Sequence, residues 1–275
     1  MKNRYYILLL GLLITAGLQA QVNKSLGIHV GVGSIIKQDL TFSPMIYQTF
    51  SPYKVTVDYK RSGQLEQTFD VQFSTYSTSL TDQFQYYWDV PTELESSGEH
   101  SFTFLYINYK LGKKLIDNGK FKLSAGARAR TRLNASTYTY GIYWLGHFGY
   151  YFALGVDAYT DMSYAFSDKH TINMSVALPI FSMVSRSPYM VQNAEYYYDN
   201  FSHSSVVALF KFIGRAKLPS WGTSQIADIK MGYSYTLNEK LDLDLFYMFS
   251  MDMNKQPHKL TQFENSIFAG VTYKF

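Results

Sequence analysis

A period of two runs through this sequence and constrains it more than any other feature. Leu241, Leu243, Leu245, Tyr247, Phe249 and Met251 fall on one face of an extended segment, and Asp242, Asp244, Ser250 and Asp252 fall on the other. Ala227, Ile229, Met231, Tyr233, Tyr235 and Leu237 alternate in the same way with Asp228, Lys230, Gly232, Ser234 and Thr236. Leu154, Val156, Ala158, Thr160, Met162 and Tyr164 oppose Gly155, Asp157, Tyr159, Asp161 and Ser163. Successive side chains on a strand point to opposite faces, so each segment reads as a β-strand with one apolar side.

Two architectures satisfy such a pattern. A β-sandwich buries its apolar faces against each other and leaves the charges in water. A transmembrane barrel turns the apolar faces to lipid and the charges inward. Most segments run about 10 to 15 residues, beyond the usual 5 to 6 of soluble sheets and enough for a tilted span of ~9 to 11. Aromatic clusters at Tyr86-Tyr87-Trp88, Tyr150-Tyr151 and Tyr196-Tyr197-Tyr198 sit near segment ends, where an interfacial girdle needs them. The fold class expected is therefore all-β, an antiparallel transmembrane β-barrel. On that reading most of the 25 Tyr and 20 Phe face lipid or its interface.

Composition excludes several alternatives. With no Cys there is no disulfide framework, thiolate metal site or cysteine nucleophile. No stretch beyond residue 20 approaches the roughly 18 to 20 apolar residues of a spanning helix. Met1–Ala20 reads as an export signal: Lys2 and Arg4 precede the apolar run Tyr5–Leu18, and Leu18-Gln19-Ala20 offers a cleavage site. Residues 21–275 are then one domain. Without Lys2 and Arg4 the formal charge falls from +4 to +2, which supplies no basic surface for nucleic acid.

The closing segment resembles a known signature. Ile267, Ala269, Val271, Tyr273 and Phe275 match the alternating C-terminal strand, ending on Phe, of bacterial outer-membrane β-barrels. The Gln-Ala-Gln end of the signal and the Tyr-rich strands resemble outer-membrane proteins of the Bacteroidota type. The resemblance implies a location in the outer membrane of a Gram-negative cell and handling by the barrel-assembly machinery through this last strand. It implies nothing about activity.

Eleven strands are evident, near residues 26–35, 52–61, 65–76, 100–111, 120–132, 148–166, 170–184, 204–213, 225–237, 240–251 and 263–275. With both termini expected on the periplasmic side the strand number must be even, and placing the similar turns Ser167-Asp168-Lys169 and Asn238-Glu239-Lys240 on that side requires an extra crossing between Ser185 and His203. A further crossing within Pro188–Tyr198 gives about twelve strands, with ten as the alternative.

The expected inward face carries Lys54, Asp58, Lys60, Glu66, Asp70, Lys110, Lys122, Arg128, Arg130, Asp157, Asp161, Lys230, Asp242 and Asp244. These charges either line a small porin-like pore or fill a narrow barrel. Trp88, Trp144 and Trp221 fall in the outer loops and suit a glycan or a partner protein. His203 and Ser205, two apart on an expected strand, resemble part of the His-x-Ser-Asn motif of lipid-modifying barrels, although Val206 replaces the Asn. They are the weak catalytic candidates for a lipid acyl hydrolase. His29, His100, His147, His170 and His258 are scattered and suggest no metal site. The reading is a non-enzymatic barrel without cofactor, acting as a small pore or as a structural or binding component of the envelope. Its partners are outer-membrane lipid, the assembly machinery and an envelope protein.

Overall fold

The structure, a computed structural model, describes residues 23–78, 84–85, 94–95, 100–140, 145–187, 191–192 and 205–275. The expected signal segment, Trp88, Trp144, His203, Tyr86-Tyr87 and Tyr196-Tyr197-Tyr198 lie outside these residues. Ten long strands dominate: β1 (Asn23–Asp39), β2 (Tyr47–Ser62), β3 (Leu65–Thr78), β4 (His100–Asp117), β5 (Phe121–Tyr140), β6 (Leu145–Ala165), β7 (His170–Arg186), β8 (Ser224–Asn238), β9 (Leu241–Asn254) and β10 (Leu260–Lys274). Each pairs antiparallel with its neighbours in sequence. β10 returns to β1, in register from Ser25↔Lys274 to Asp39↔Leu260, and closes the sheet into a barrel. Closure lets the strands satisfy one another's backbone groups, the condition for a sheet in lipid.

Asn23, Phe275 and the short turns at 63–64, 118–120, 166–169 and 239–240 share one end of the barrel, called here the terminal end. The longer connections leave from the opposite, loop end. At the seam Phe275 N–H donates to the Lys24 carbonyl at 2.9 Å, so the last residue helps to close the wall.

The outer wall is apolar. Val30 (62 % exposed), Ile28, Val55, Leu245, Ile267 and Val271 all stand outward with nothing covering them. Such a belt far exceeds the few hundred Å² of apolar patch that soluble proteins expose. Near the terminal end it grades into an aromatic row that includes Phe69, Tyr109, Tyr164, Tyr233, Tyr273 and Phe275, the arrangement of an interfacial girdle. Charged and small residues alternate onto the inner face. With its apolar side out and its charges in, this is a barrel of the transmembrane kind.

Two prolines shape the wall. Pro52 has no N–H to donate, and the β1–β2 register shifts between Gly31 and Gly33, leaving Pro52 and Tyr53 both outside. Pro179 faces Asp157 where the β6–β7 register shifts, and β7–β8 pairing ends at Ala177↔Asp228. Beyond that point Val184 makes an isolated bridge to Lys217 instead.

The strand expected near 204–213 is not one. Ser205–Gly214 forms the helix α1. Val206, Leu209, Phe210 and Ile213 recur at spacings of three and four, and Ala208, Leu209 and Lys211 are good helix formers. Removing that segment leaves ten strands, the even alternative, and no crossing within Pro188–Tyr198 is needed. Within that stretch the described pair Val191–Gln192 extends the line of β7 beside β6.

The outer wall generates a direct test. Val30→Arg should destabilise the barrel in lipid bilayers by about 2–4 kcal/mol, the cost of a cation facing the hydrocarbon midplane. Unfolding in urea measures it, and a loss under about 0.5 kcal/mol, the range of neutral surface changes, would contradict the lipid-facing assignment.

Candidate functional site

The lumen is built in three levels. Nearest the loop end is an aromatic cap. Phe102, Phe104 and Tyr106 are spaced two apart on β4 and all turn inward, each at most 4 % exposed. Phe42 stacks on Tyr138 at 4.7 Å between ring centroids, and Tyr47 meets Phe102 edge-on at 5.5 Å. Gly149 makes room for Phe42, because a Cβ there would lie 2.3 Å from the ring. Lys37 holds its ammonium 4.4 Å above the Phe102 ring and donates to Ser136 Oγ at 2.7 Å. Arg186 pairs with Asp39 at 2.7 Å and donates to the carbonyls of Gln256 and His258, which ties two loop-end connections together.

This cap corrects the expectation that the aromatic residues mostly face lipid. A large inward set includes Tyr76, Phe102, Phe104, Tyr106, Tyr138 and Phe268. Phe268, the one break in the alternation of β10, stacks on Phe246 at 4.9 Å inside the barrel. Tyr151 likewise turns inward, and its hydroxyl donates to Asp252 at 3.4 Å.

Below the cap lies a layer of ion pairs. Arg128, Arg130 and Arg132 sit two apart on β5, so all three guanidinium groups enter the lumen from one strand. Acids from three other strands neutralise them. Arg128 pairs with Asp157 of β6 and with Asp228 of β8 at 2.5 Å each. Arg132 bridges Asp228 and Asp252 of β9. Arg130 lies 3.4 Å from Asp157 and donates to Ser182 at 2.9 Å. Across the lumen, Lys54 of β2 pairs with Glu264 of β10 at 2.9 Å and donates to Ser266 at 2.7 Å. Glu264 also accepts from Tyr76 at 3.2 Å, from Gln262 at 3.0 Å and from Tyr106. Lys54, Arg130, Arg132, Asp157, Asp252 and Glu264 are each at most 2 % exposed, so at this level the lumen is packed with side chains.

The terminal half opens into a vestibule of about 560 Å³. Its walls carry Asp58, Lys60, Glu66, Asp70, Lys110, Lys122, Asp161, Lys230, Asp242 and Asp244. Here Lys110 pairs with Asp161 at 2.9 Å and Lys274 with Asp242 at 2.6 Å. His29 stands between Asp58 at 3.4 Å and Asp244 at 3.2 Å, with only 2 % of its surface exposed.

The inward residues named from the sequence thus divide between two levels. Lys54, Arg128, Arg130 and Asp157 belong to the packed layer, and the others to the vestibule. The sequence list omits Arg132, Asp228, Asp252, Glu264 and His29. Asp228 and Asp252 already stand on polar faces marked by the alternation, and the same period of two places Arg132, Glu264 and His29 at inward positions of β5, β10 and β1. Ser205 opens α1, so the strand spacing that joined it to His203 is absent, and α1 belongs to the loop end. Trp221 is exposed at that end.

No family model matches the chain, and no curated protein matches it. Among solved structures it is similar to the outer membrane protease OmpT from Escherichia coli, with 8 % identity, 95 % of this chain and 100 % of that chain covered, and a TM-score of 0.48. The translocator domain of the autotransporter NalP from Neisseria meningitidis aligns at 8 % identity over 98 % and 95 % of the two chains, with a TM-score of 0.44. Neisserial surface protein A aligns at 11 % identity over 91 % and 97 %, with a TM-score of 0.37.

The packed layer makes its own forecast. Glu264→Ala strands the Lys54 ammonium and should cost about 3–5 kcal/mol, whereas Lys54→Met with Glu264→Leu should recover most of that loss. Urea unfolding of the single and double variants checks this. Additive losses would show that the two groups are not coupled.

Proposed function

We propose that this chain is a non-enzymatic barrel of the Gram-negative outer membrane with a closed lumen, serving as a structural or binding component of the cell envelope. One observation carries the reading: the layer of Arg128, Arg130, Arg132, Lys54 and their carboxylate partners spans the lumen with almost no solvent exposure. A barrel of about 8 strands is filled by side chains and one of about 16 to 18 conducts. Ten strands filled by four cations and their acids belong with the former.

The terminal end with its short turns faces the periplasm, and the longer connections face outward. The final strand, with Ile267, Ala269, Val271, Tyr273 and Phe275, serves the assembly machinery. Phe275 is exposed and stacks with Tyr273 at 6.1 Å, which leaves both rings available at the seam. Loops around the aromatic cap are the surface for an envelope partner or a glycan.

Fractionation and electrophysiology test this reading. The protein is expected in the outer-membrane fraction, with different gel mobility before and after boiling, and without steps of conductance in planar bilayers. Recovery in a soluble fraction without a mobility shift would overturn the membrane assignment. Reproducible single-channel steps from pure protein would overturn the closed lumen.

A further inference from the structure

Away from its mouth, the vestibule carries two charges with no ion-pair partner among the described residues. Around them the pairing is thorough: Lys60 with Asp58 at 3.5 Å, Lys110 with Asp161, Lys274 with Asp242, and His29 with both Asp58 and Asp244. Lys230, midway along β8, has no carboxylate within 4.0 Å among the described residues. Its ammonium instead lies 3.7 Å above the Phe246 ring. Among the described residues Asp70, on β3, accepts only the amide of Asn108 at 2.8 Å through one oxygen and has no cation within 4.0 Å. Both residues line the same cavity, and each lies within the other's electrostatic reach. One inward position further along β3, Gln72 is 5 % exposed and its side-chain amide nitrogen lies buried without an acceptor. Glu66 and Lys122 also lack an ion pair, but they stand at the mouth beside the turns.

We propose that the vestibule binds a small zwitterionic solute, an amino acid or short peptide, with its carboxylate on Lys230 and its ammonium on Asp70. Asp70 and Lys230 are each only partly exposed, and an ion pair formed in such a recess is screened less than one in open water. A ligand carrying both signs pairs with both at once. A simple anion would satisfy Lys230 but would also face Asp58, Asp161 and Asp244. A simple cation would satisfy Asp70 and meet Lys60 and Lys110. Gln72 supplies a further donor, and Phe246 and Tyr159 supply apolar wall. The cavity of about 560 Å³ falls within the ~300–1,000 Å³ typical of small-ligand sites. Entry is from the terminal end, where Asn23, Ser62 and Lys274 form the rim.

The test is titration calorimetry on the full chain in detergent micelles. Glycine, diglycine and triglycine are compared with their N-acetylated and C-amidated counterparts. At least one free zwitterion is expected to bind saturably, with tenfold or greater weakening when either end is capped. Lys230→Gln should abolish the advantage of a free carboxylate, and Asp70→Asn that of a free amine. Variants are first checked for the heat-dependent gel shift. The wild-type ligand series decides the matter even if a variant does not fold. Equal binding of free and capped peptides, or binding of none, overturns the proposal. This site and the closed lumen fail separately, since calorimetry reads one and conductance the other.

Discussion

Charges inside a lipid-embedded barrel have to find their partners within it, because the wall offers none and the packed centre leaves its side chains almost no solvent exposure. That constraint organises this molecule. β5 sends three guanidinium groups into the lumen, and no single neighbouring strand carries enough acid to meet them. Asp157, Asp228 and Asp252 therefore converge from β6, β8 and β9, and the pairs to Asp228 and Asp252 link β5 to strands that are not adjacent to it in the sheet. Lys54 and Glu264 do the same from β2 and β10. Pairs of this kind contribute little net stability compared with an apolar core, yet breaking one is costly. They hold the opposite walls of the barrel at one spacing.

The packed layer also divides the lumen in function. Towards the loops, aromatic rings complete the closure, with the Lys37 ammonium buried between the Phe102 ring and Ser136. Towards the termini, fewer large side chains enter and the vestibule remains. The Cβ of any residue replacing Gly112 would lie 2.1 Å from the Tyr159 hydroxyl, so this glycine is what lets Tyr159 line the cavity. One wall thus encloses a closed half and an open half, which differ in the size and charge of the residues placed at inward positions.

Much of this was legible in the sequence. The alternation of β9 and β10 identified inward and outward faces residue by residue, because a period of two leaves no ambiguity once one face is known. The strand count was legible only in part. Residues 204–213 are apolar enough for a strand, and their spacing of three and four, which marks α1, is short and easily hidden among Val, Leu and Phe. The aromatic cap was not legible. Phe102 and Phe104 alternate with Ser101 and Thr103, so the rule that the apolar face meets lipid assigns them outward. They turn inward because the loop end of the lumen has its own core, a tertiary demand that no local pattern announces. The pairing of particular acids with particular bases was illegible for the same reason. It depends on which strands face each other across the barrel, as Arg132 and Asp252 do, 120 residues apart.

Water accessibility along the lumen shows whether the packed layer closes it, and the absence of native cysteine makes the measurement simple. Single cysteines at Thr68 and Ser163 sample the vestibule, and at Ser74 and Ser136 they sample the closed half. The membrane-embedded variants are then treated with a small water-soluble maleimide. Labelling is expected at Thr68→Cys and Ser163→Cys, with protection at Ser74→Cys and Ser136→Cys until the protein is unfolded. Equal labelling at all four positions would mean a continuous water-filled lumen and would contradict this closure.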